Sequence, residues 1–144
     1  MLARFLNTGT LSIREVWHAL GRTMPAFERQ LVFRSFYDCR MNATWDSNTF
    51  TQKEYKLGFR WISTKTKKGK SRFNAWKQGT TGVPLVDASM ICLRTTGWLH
   101  NRLRMVVACY LSRILLIDWK EGEAWFAKHL FDYNATQNHF GWKG

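Results

Sequence analysis

Helix punctuation is the feature that most limits what this chain can fold into. Ser12 followed by Glu15 has the spacing of a capping box, and Gly21 closes the apolar run that follows. Pro25 precedes Phe27, Leu31, Val32 and Phe36, the spacing of a second amphipathic helix. Pro84 opens a third, with Leu85, Ala88, Ile91 and Cys92 on its buried face and Gly97 as its stop. A fourth runs from near His100 to Asp118. Glu121 and Glu123 suit the first turn of a fifth, where negative charge meets the positive helix end, and Trp125, Phe126, Leu130 and Phe131 give it an apolar face. No alternating strand pattern and no repeat interrupts this series. The reading is an all-α domain of about five helices, with residues 1–144 as one unit. Residues 45–72 read as an irregular connection with room for one short helix, and residues 135–144 as loop.

Composition agrees with a packed domain. Hydrophobic residues make up 45% and aromatics 15%, which excludes a disordered chain. Lys and Arg number 22 against 10 Asp and Glu, a net charge of +12 that favours polyanionic partners, nucleic acid first. The other reading of that charge is a basic surface kept for solubility. Cys39, Cys92 and Cys109 have neither CxxC spacing nor an even count, so no disulfide framework or zinc knuckle is expected. The four histidines form no metal-ligand pattern, and no metal site is expected. The stretch from Met105 to Ile117 is too short and too polar, at Ser112 and Arg113, to span a membrane. With no signal-peptide run at the start, an intracellular location, cytoplasmic or nuclear, is expected.

Four stretches carry a stronger signal than composition. The first is Trp76-Lys77-Gln78-Gly79-Thr80-Thr81-Gly82-Val83-Pro84-Leu85-Val86-Asp87-Ala88. The second is Thr96-Gly97-Trp98-Leu99-His100-Asn101-Arg102-Leu103-Arg104-Met105. Then come Leu116-Ile117-Asp118-Trp119-Lys120-Glu121-Gly122-Glu123 and Asn138-His139-Phe140-Gly141-Trp142. In this order and spacing they resemble the helical FAD-binding domain of the photolyase/cryptochrome family, of the class I pyrimidine-dimer photolyase type.

The fourth helix places Asn101, Arg104, Met105 and Ala108 on one face, which suits a flat ligand with one polar edge. The resemblance implies that Asn101 and Met105 face flavin and lesion, and that Arg104 pairs with Asp132 beside the isoalloxazine. A buried charge must be paired or it changes its protonation state; read without the resemblance, Arg104 and Asp132 are surface charges. Asn138 matches the residue that hydrogen-bonds flavin N5, where plant-type cryptochromes carry Asp. Arg34 matches an arginine near the flavin phosphates and ring. Trp98 matches a tryptophan packed beside the cofactor, and is equally a core aromatic. Asn134 stands where the family usually has a second aspartate near FAD.

Trp119 and Trp142 match the two inner members of the family's electron-relay tryptophans. Thr66 occupies the outer position, and Trp61 is the nearest substitute. In a chain with 8 tryptophans, ordinary packing accounts for each of these as well. Arg102 matches a residue of the family's positive DNA groove, while Lys65, Lys67, Lys68, Lys70 and Arg72 form a separate basic run. Such a run is usually a solvated loop, but it can also track phosphates.

The chain departs from the family pattern at several positions. Ala3 stands at the last serine of the loop that holds the FAD pyrophosphate, whose Thr-Ser pair is absent. Gln30 replaces a glutamate that hydrogen-bonds the dimer, and Phe33 replaces a stacking tryptophan; Phe still stacks, with less area. Gly144 stands at a further family tryptophan. The resemblance covers nearly all of this chain but only the middle of the family, without the antenna domain and the last helices, as in a truncated or split photolyase.

The resemblance implies light-driven repair of pyrimidine dimers. A dimer flipped out of DNA, which costs least at a distorted lesion, would meet reduced FAD and accept an electron under blue light. FAD is expected to be held weakly or not at all by this chain alone, and DNA binding to be salt-sensitive with little lesion preference. Gln30, Phe33, Arg102 and Met105 would face DNA. A second chain supplying the missing segments is one expected partner, and carbon–carbon lyase activity would depend on such completion. The alternative is a non-catalytic DNA-binding or interaction fragment derived from a photolyase or cryptochrome.

Overall fold

The structure, a computed structural model, describes residues 2–21, 23–45 and 60–143. Gly144, and residues 46–59 of the expected irregular connection, lie outside the described residues. Eight α-helices and no strand occur among the described residues: α1 (Ala3–Thr8), α2 (Ile13–Leu20), α3 (Pro25–Trp45), α4 (Lys67–Gln78), α5 (Pro84–Thr96), α6 (Asn101–Cys109), α7 (Trp119–His129) and α8 (Ala135–Lys143). A π-helical turn, Tyr110–Ile114, continues α6.

The expected punctuation is in place. The Ser12 hydroxyl accepts from the Glu15 N–H at 3.1 Å, and the Glu15 carboxylate accepts from the Ser12 N–H at 2.7 Å, closing the capping box. Pro25 and Pro84 each occupy the first position of a helix, where the missing N–H costs nothing. Gly97 ends α5 at φ 68°, a left-handed conformation in which glycine carries no Cβ penalty. Asp118 starts α7 by accepting from the Lys120 N–H at 3.0 Å.

Three elements differ from the sequence expectation, and so does the face of α5, where Val86, Ser89, Met90 and Leu93 are buried while Leu85 and Ile91 are exposed. The lysine-rich run is not a loop: Thr66 caps α4 by accepting from the Gly69 N–H at 3.1 Å, and the helix then buries Trp76 completely. A capping hydroxyl and one indole on the core side outweigh the weak periodicity of a lysine-rich segment. The tail is not loop either. Residues Ala135–Lys143 form α8, which packs against α3, α6 and α7 and buries Phe140 and Trp142; tertiary contacts here override an undistinguished local pattern. The fourth helix stops short of Asp118, because the π turn ends it at Ile114 and Leu116 follows at φ 55°.

The core is built from Trp76, Val86, Met90, Leu93, Leu99, Val107, Leu111, Ile117, Phe126, Leu130 and Trp142. Trp76 is its centre. Its ring lies nearly parallel to Phe73 and Phe126, meets Trp142 edge-on at 6.3 Å, and its Nε1 donates to the Val107 carbonyl at 3.0 Å. A buried indole N–H therefore has its partner, as it must. α4 packs on α5, α5 on α6 and α7 on α8, while α3 meets α8 from the side. This arrangement brings the start of α6, the loop after α7 and the middle of α3 to one end of the bundle.

Candidate cofactor site

Arg104, in the first turn of α6, is fixed on two sides. Its Nε donates to the Leu99 carbonyl at 2.7 Å, and its Nη2 donates to both carboxylate oxygens of Asp132 at 2.9 Å. The side chains are 25% and 11% exposed, so the pair is shielded enough for its geometry to be held. Asp132 reaches Arg104 because the loop after α7 is tied back: the Phe131 N–H donates to the Gly97 carbonyl at 2.9 Å. The expected pairing is present, between residues 28 apart in the chain.

A residue not singled out from the sequence joins the rest. The Asn7 amide, from α1, donates to the carbonyls of Asp132 and Tyr133 at 2.8 and 2.9 Å. Its Oδ1 accepts from Arg34 Nη2 at 2.8 Å and from Asn134 Nδ2 at 3.4 Å. Gln137 adds a further tie, donating from Nε2 to the Arg34 carbonyl at 3.0 Å and from its N–H to Asn134 Oδ1 at 3.0 Å. Arg34, Arg104, Asp132 and Asn134 thus belong to one polar cluster, and Asn7 is its hub. Nothing local to Asn7 points to this: Arg34 lies 27 residues away, and Asp132, Tyr133 and Asn134 lie 125 to 127 residues away.

Asn138 borders the cluster. Its N–H donates to the Asn134 carbonyl at 2.9 Å, and its amide to the Glu123 carbonyl at 3.5 Å. Burial, and next the charge of Glu123, push the Tyr133 phenol above its ordinary pKa, and a hydrogen bond with Asn138 offsets this in part. Asn101 is exposed at the first position of α6. Trp98 is half-buried and meets His100 edge-on at 6.4 Å. No side-chain bond ties Asn101 or Trp98 to the polar cluster among the described residues.

The residues expected to face DNA are all on the surface. Gln30 lies one turn before Arg34 on α3, and Phe33 is 47% exposed with its ring stacked on Tyr37. Arg102 is exposed. Met105 lines an apolar groove with Val83, Leu85, Val106, Cys109 and Ile114.

Trp119 is the first residue of α7, and Trp142 belongs to α8. Trp119 meets His139 edge-on at 5.4 Å, and Trp142 stands one turn beyond His139, edge-on to Phe126 at 5.0 Å. Thr66 serves as a cap, as described. Trp61 lines a separate cleft with Ile62, Ser63, Thr64, Lys65, Asp118 and Glu121.

The donor set fits the ring end of a flavin. Two guanidiniums, two side-chain amides and one carboxylate gather here, chemistry able to recognise a polar ring edge, and they hold one another in place. At the start of α1, Leu2 makes no side-chain cap and Ala3 carries no hydroxyl. Among the described residues no group of three metal-ligating side chains comes together, and no helix is long and apolar enough to cross a membrane.

Comparison with known proteins gives the same direction. The family model described as the FAD binding domain of DNA photolyase matches residues 27–144. A deoxyribodipyrimidine photo-lyase from Synechococcus sp. is 34% identical over 99% of this chain, and the chain spans 31% of that relative's length. Among solved structures, the archaeal photolyase from Sulfolobus tokodaii with two FAD molecules is 34% identical with a TM-score of 0.84, over 99% of this chain and 32% of its own. The cryptochrome from Synechocystis sp. is 32% identical with a TM-score of 0.81, over 98% of this chain and 30% of its own. By a match that covers most of its residues, the chain belongs to the family of the FAD binding domain of DNA photolyase.

Proposed function

We propose that the chain is the flavin- and DNA-binding unit of a photolyase-like protein, holding FAD weakly by itself and acting on DNA inside the cell. The observation that supports it best is the fork between Arg104 and Asp132, held beside the network of Asn7, Arg34 and Asn134. FAD, when bound, supplies light absorption and electron transfer. Asp132 and the Leu99 carbonyl keep the Arg104 guanidinium fixed, so that positive charge is presented to the ring edge without reorganisation. Arg34 brings a second positive charge, and Asn138 an amide that can donate or accept. Trp119 on α7 and Trp142 on α8 offer easily oxidised indoles. Gln30, Phe33, Arg102 and Met105 form the DNA-facing set, with Gln30 keeping hydrogen-bonding capacity without charge and Phe33 a face for stacking. Repair of a pyrimidine dimer would need further segments, supplied by a second chain or by continuation of this one.

The test is a dark titration of FAD into the purified 144-residue chain, followed by flavin fluorescence. Saturable binding that is lost on desalting is expected, weakened further in Arg104→Ala and Arg34→Ala. Saturable binding insensitive to both substitutions would move the site elsewhere, and no binding at any concentration would remove the cofactor reading.

A second reading is a non-catalytic DNA-binding fragment of the same family. The net charge of +12 and the lack of a hydroxyl at the start of α1 favour it. Salt-sensitive DNA binding without flavin binding would select it.

A further inference from the structure

We infer that the lysines at the start of α4 form a second phosphate-contacting surface, at the opposite end of the molecule from Arg102. This deepens the nucleic-acid part of the proposed function and rests on it. Lys65, Lys67, Lys68 and Lys70 are all exposed, and the last three fall within about one helical turn. The capped start of α4 makes this an ordered surface. Thr66 holds the first turn from inside, donating its hydroxyl to the Ser63 carbonyl at 2.7 Å, and Gly69 is buried against Ser63.

Among the described residues the lysines have no internal use for their charge. No acid stands in the first turn of α4, and among the described residues no carboxylate lies within ion-pair distance of these four lysines. Asp118 and Glu121 border Lys65 in the Trp61 cleft. They are engaged elsewhere, accepting from the Lys120 N–H at 3.0 Å and from the Thr64 hydroxyl at 3.0 Å. The amino end of a helix repels positive charge, so the cluster works against its own helix. An external anion bound there would offset that repulsion.

Position separates this surface from the other. Arg72 Nη1 donates to the Leu115 carbonyl at 3.2 Å, and the Ile62 N–H donates to Leu116 at 2.7 Å. These contacts anchor the start of α4 at the far end of the continuous helix from Asn101 to Ile114. Arg102 is at its near end, about 20 Å away along the axis. Nucleic acid fits better than a membrane because the surface of residues 65–71 is lysine, threonine and serine around a buried glycine, with no apolar side chain to insert. A polyphosphate backbone needs only the lysines.

The experiment measures affinity for a short undamaged duplex at several salt concentrations. It compares the wild-type chain, a Lys67→Ala/Lys68→Ala/Lys70→Ala variant, its arginine counterpart and Arg102→Ala. The alanine variant should weaken binding and flatten the log–log salt slope by up to about 3, at about 0.9 per lost phosphate contact. The arginine variant should bind like wild type, and the alanine and Arg102→Ala effects should add, as for distant sites. Should the triple variant lose helicity, the three single alanine variants carry the test at about 0.9 each. An unchanged slope in a chain that still binds DNA and still responds to Arg102→Ala overturns this inference and leaves the proposed function standing. A wild-type chain with no DNA affinity overturns both. Loss of binding to phosphatidylserine vesicles with DNA binding unaffected assigns the surface to lipid and also overturns the inference.

Discussion

The side chain of Asn7 donates to the backbone carbonyl of Asp132 at 2.8 Å, across 125 residues of sequence. One amide therefore sets where the loop carrying Asp132 sits, and with it the acceptor that faces Arg104. Asn7→Ala is expected to lower stability by about 1–2 kcal/mol, from partly buried groups left without a partner. It should weaken FAD binding as well. Asn7→Asp keeps the acceptor for Arg34 but not the donor to Asp132 and Tyr133, so it should restore only part of the loss. Chemical denaturation midpoints and flavin titrations of the three proteins check this.

Arg104→Ala leaves the shielded Asp132 carboxylate without its partner and should cost about 2–3 kcal/mol. Pairing it with Asp132→Ala removes the orphaned charge, so the double variant should be less destabilised than the sum of the singles. A double-mutant cycle by urea unfolding measures the coupling; strict additivity would show that the fork contributes nothing as a pair.

Gly122 is buried in α7, and a Cβ there would run into the Trp142 ring and Leu111. Backbone in a packed helix yields little, so Gly122→Ala should cost about 1–3 kcal/mol by overpacking. The shift of Trp142 should appear as an altered tryptophan emission spectrum in the native state. Unchanged stability and emission would mean that α7 and α8 slide apart freely.

Asp87 makes a pH-dependent contact in the loop that leads into α5. Burial pushes its pKa up, but the Thr81 hydroxyl, the Thr81 N–H and the Gly82 N–H donate to it, and together they hold it below the ordinary value. A depressed folded-state pKa means stabilisation that is fully present above the unfolded value of about 3.9 and lost as pH falls through the lower folded one. Protection of Thr81 and Gly82 against hydrogen exchange, taken relative to the intrinsic rate at each pH, should fall across that acid window in the wild-type chain. In Asp87→Ala it should already be low at neutral pH and show no such transition.

Much of the fold was legible where local chemistry decides it. Ser12 with Glu15, Pro25, Pro84 and Gly97 act through their own backbone neighbours, and each sits where its type demands. Illegible were the elements that long-range contacts decide. Residues 135–143 carry Gly, Asn and Thr with little periodicity, and become helix because Phe140 and Trp142 find α3 and the core. The lysines of α4 hid a helix whose cap is a threonine and whose anchor is one tryptophan. In the candidate site, Arg104 and Asp132 were readable only through the family motif, since nothing in the 27 intervening residues links them. Asn7 was not readable, because it acts through Arg34 on another helix and through Asp132, Tyr133 and Asn134 near the other end of the chain.

The core cluster draws every member from residue 62 onward, whereas α1 buries no residue and α3 joins the bundle chiefly through α8. Cooperativity is therefore unevenly distributed. The first 45 residues can open by subglobal fluctuation while the Trp76 core stays closed, and exchange protection should fall off toward α1. Asn7 and Arg34 belong to the side that opens, and Arg104, Asp132 and Asn134 to the side that stays. A ligand gripped from both sides would spend part of its binding free energy holding them together, and its apparent affinity would carry the population of the closed form.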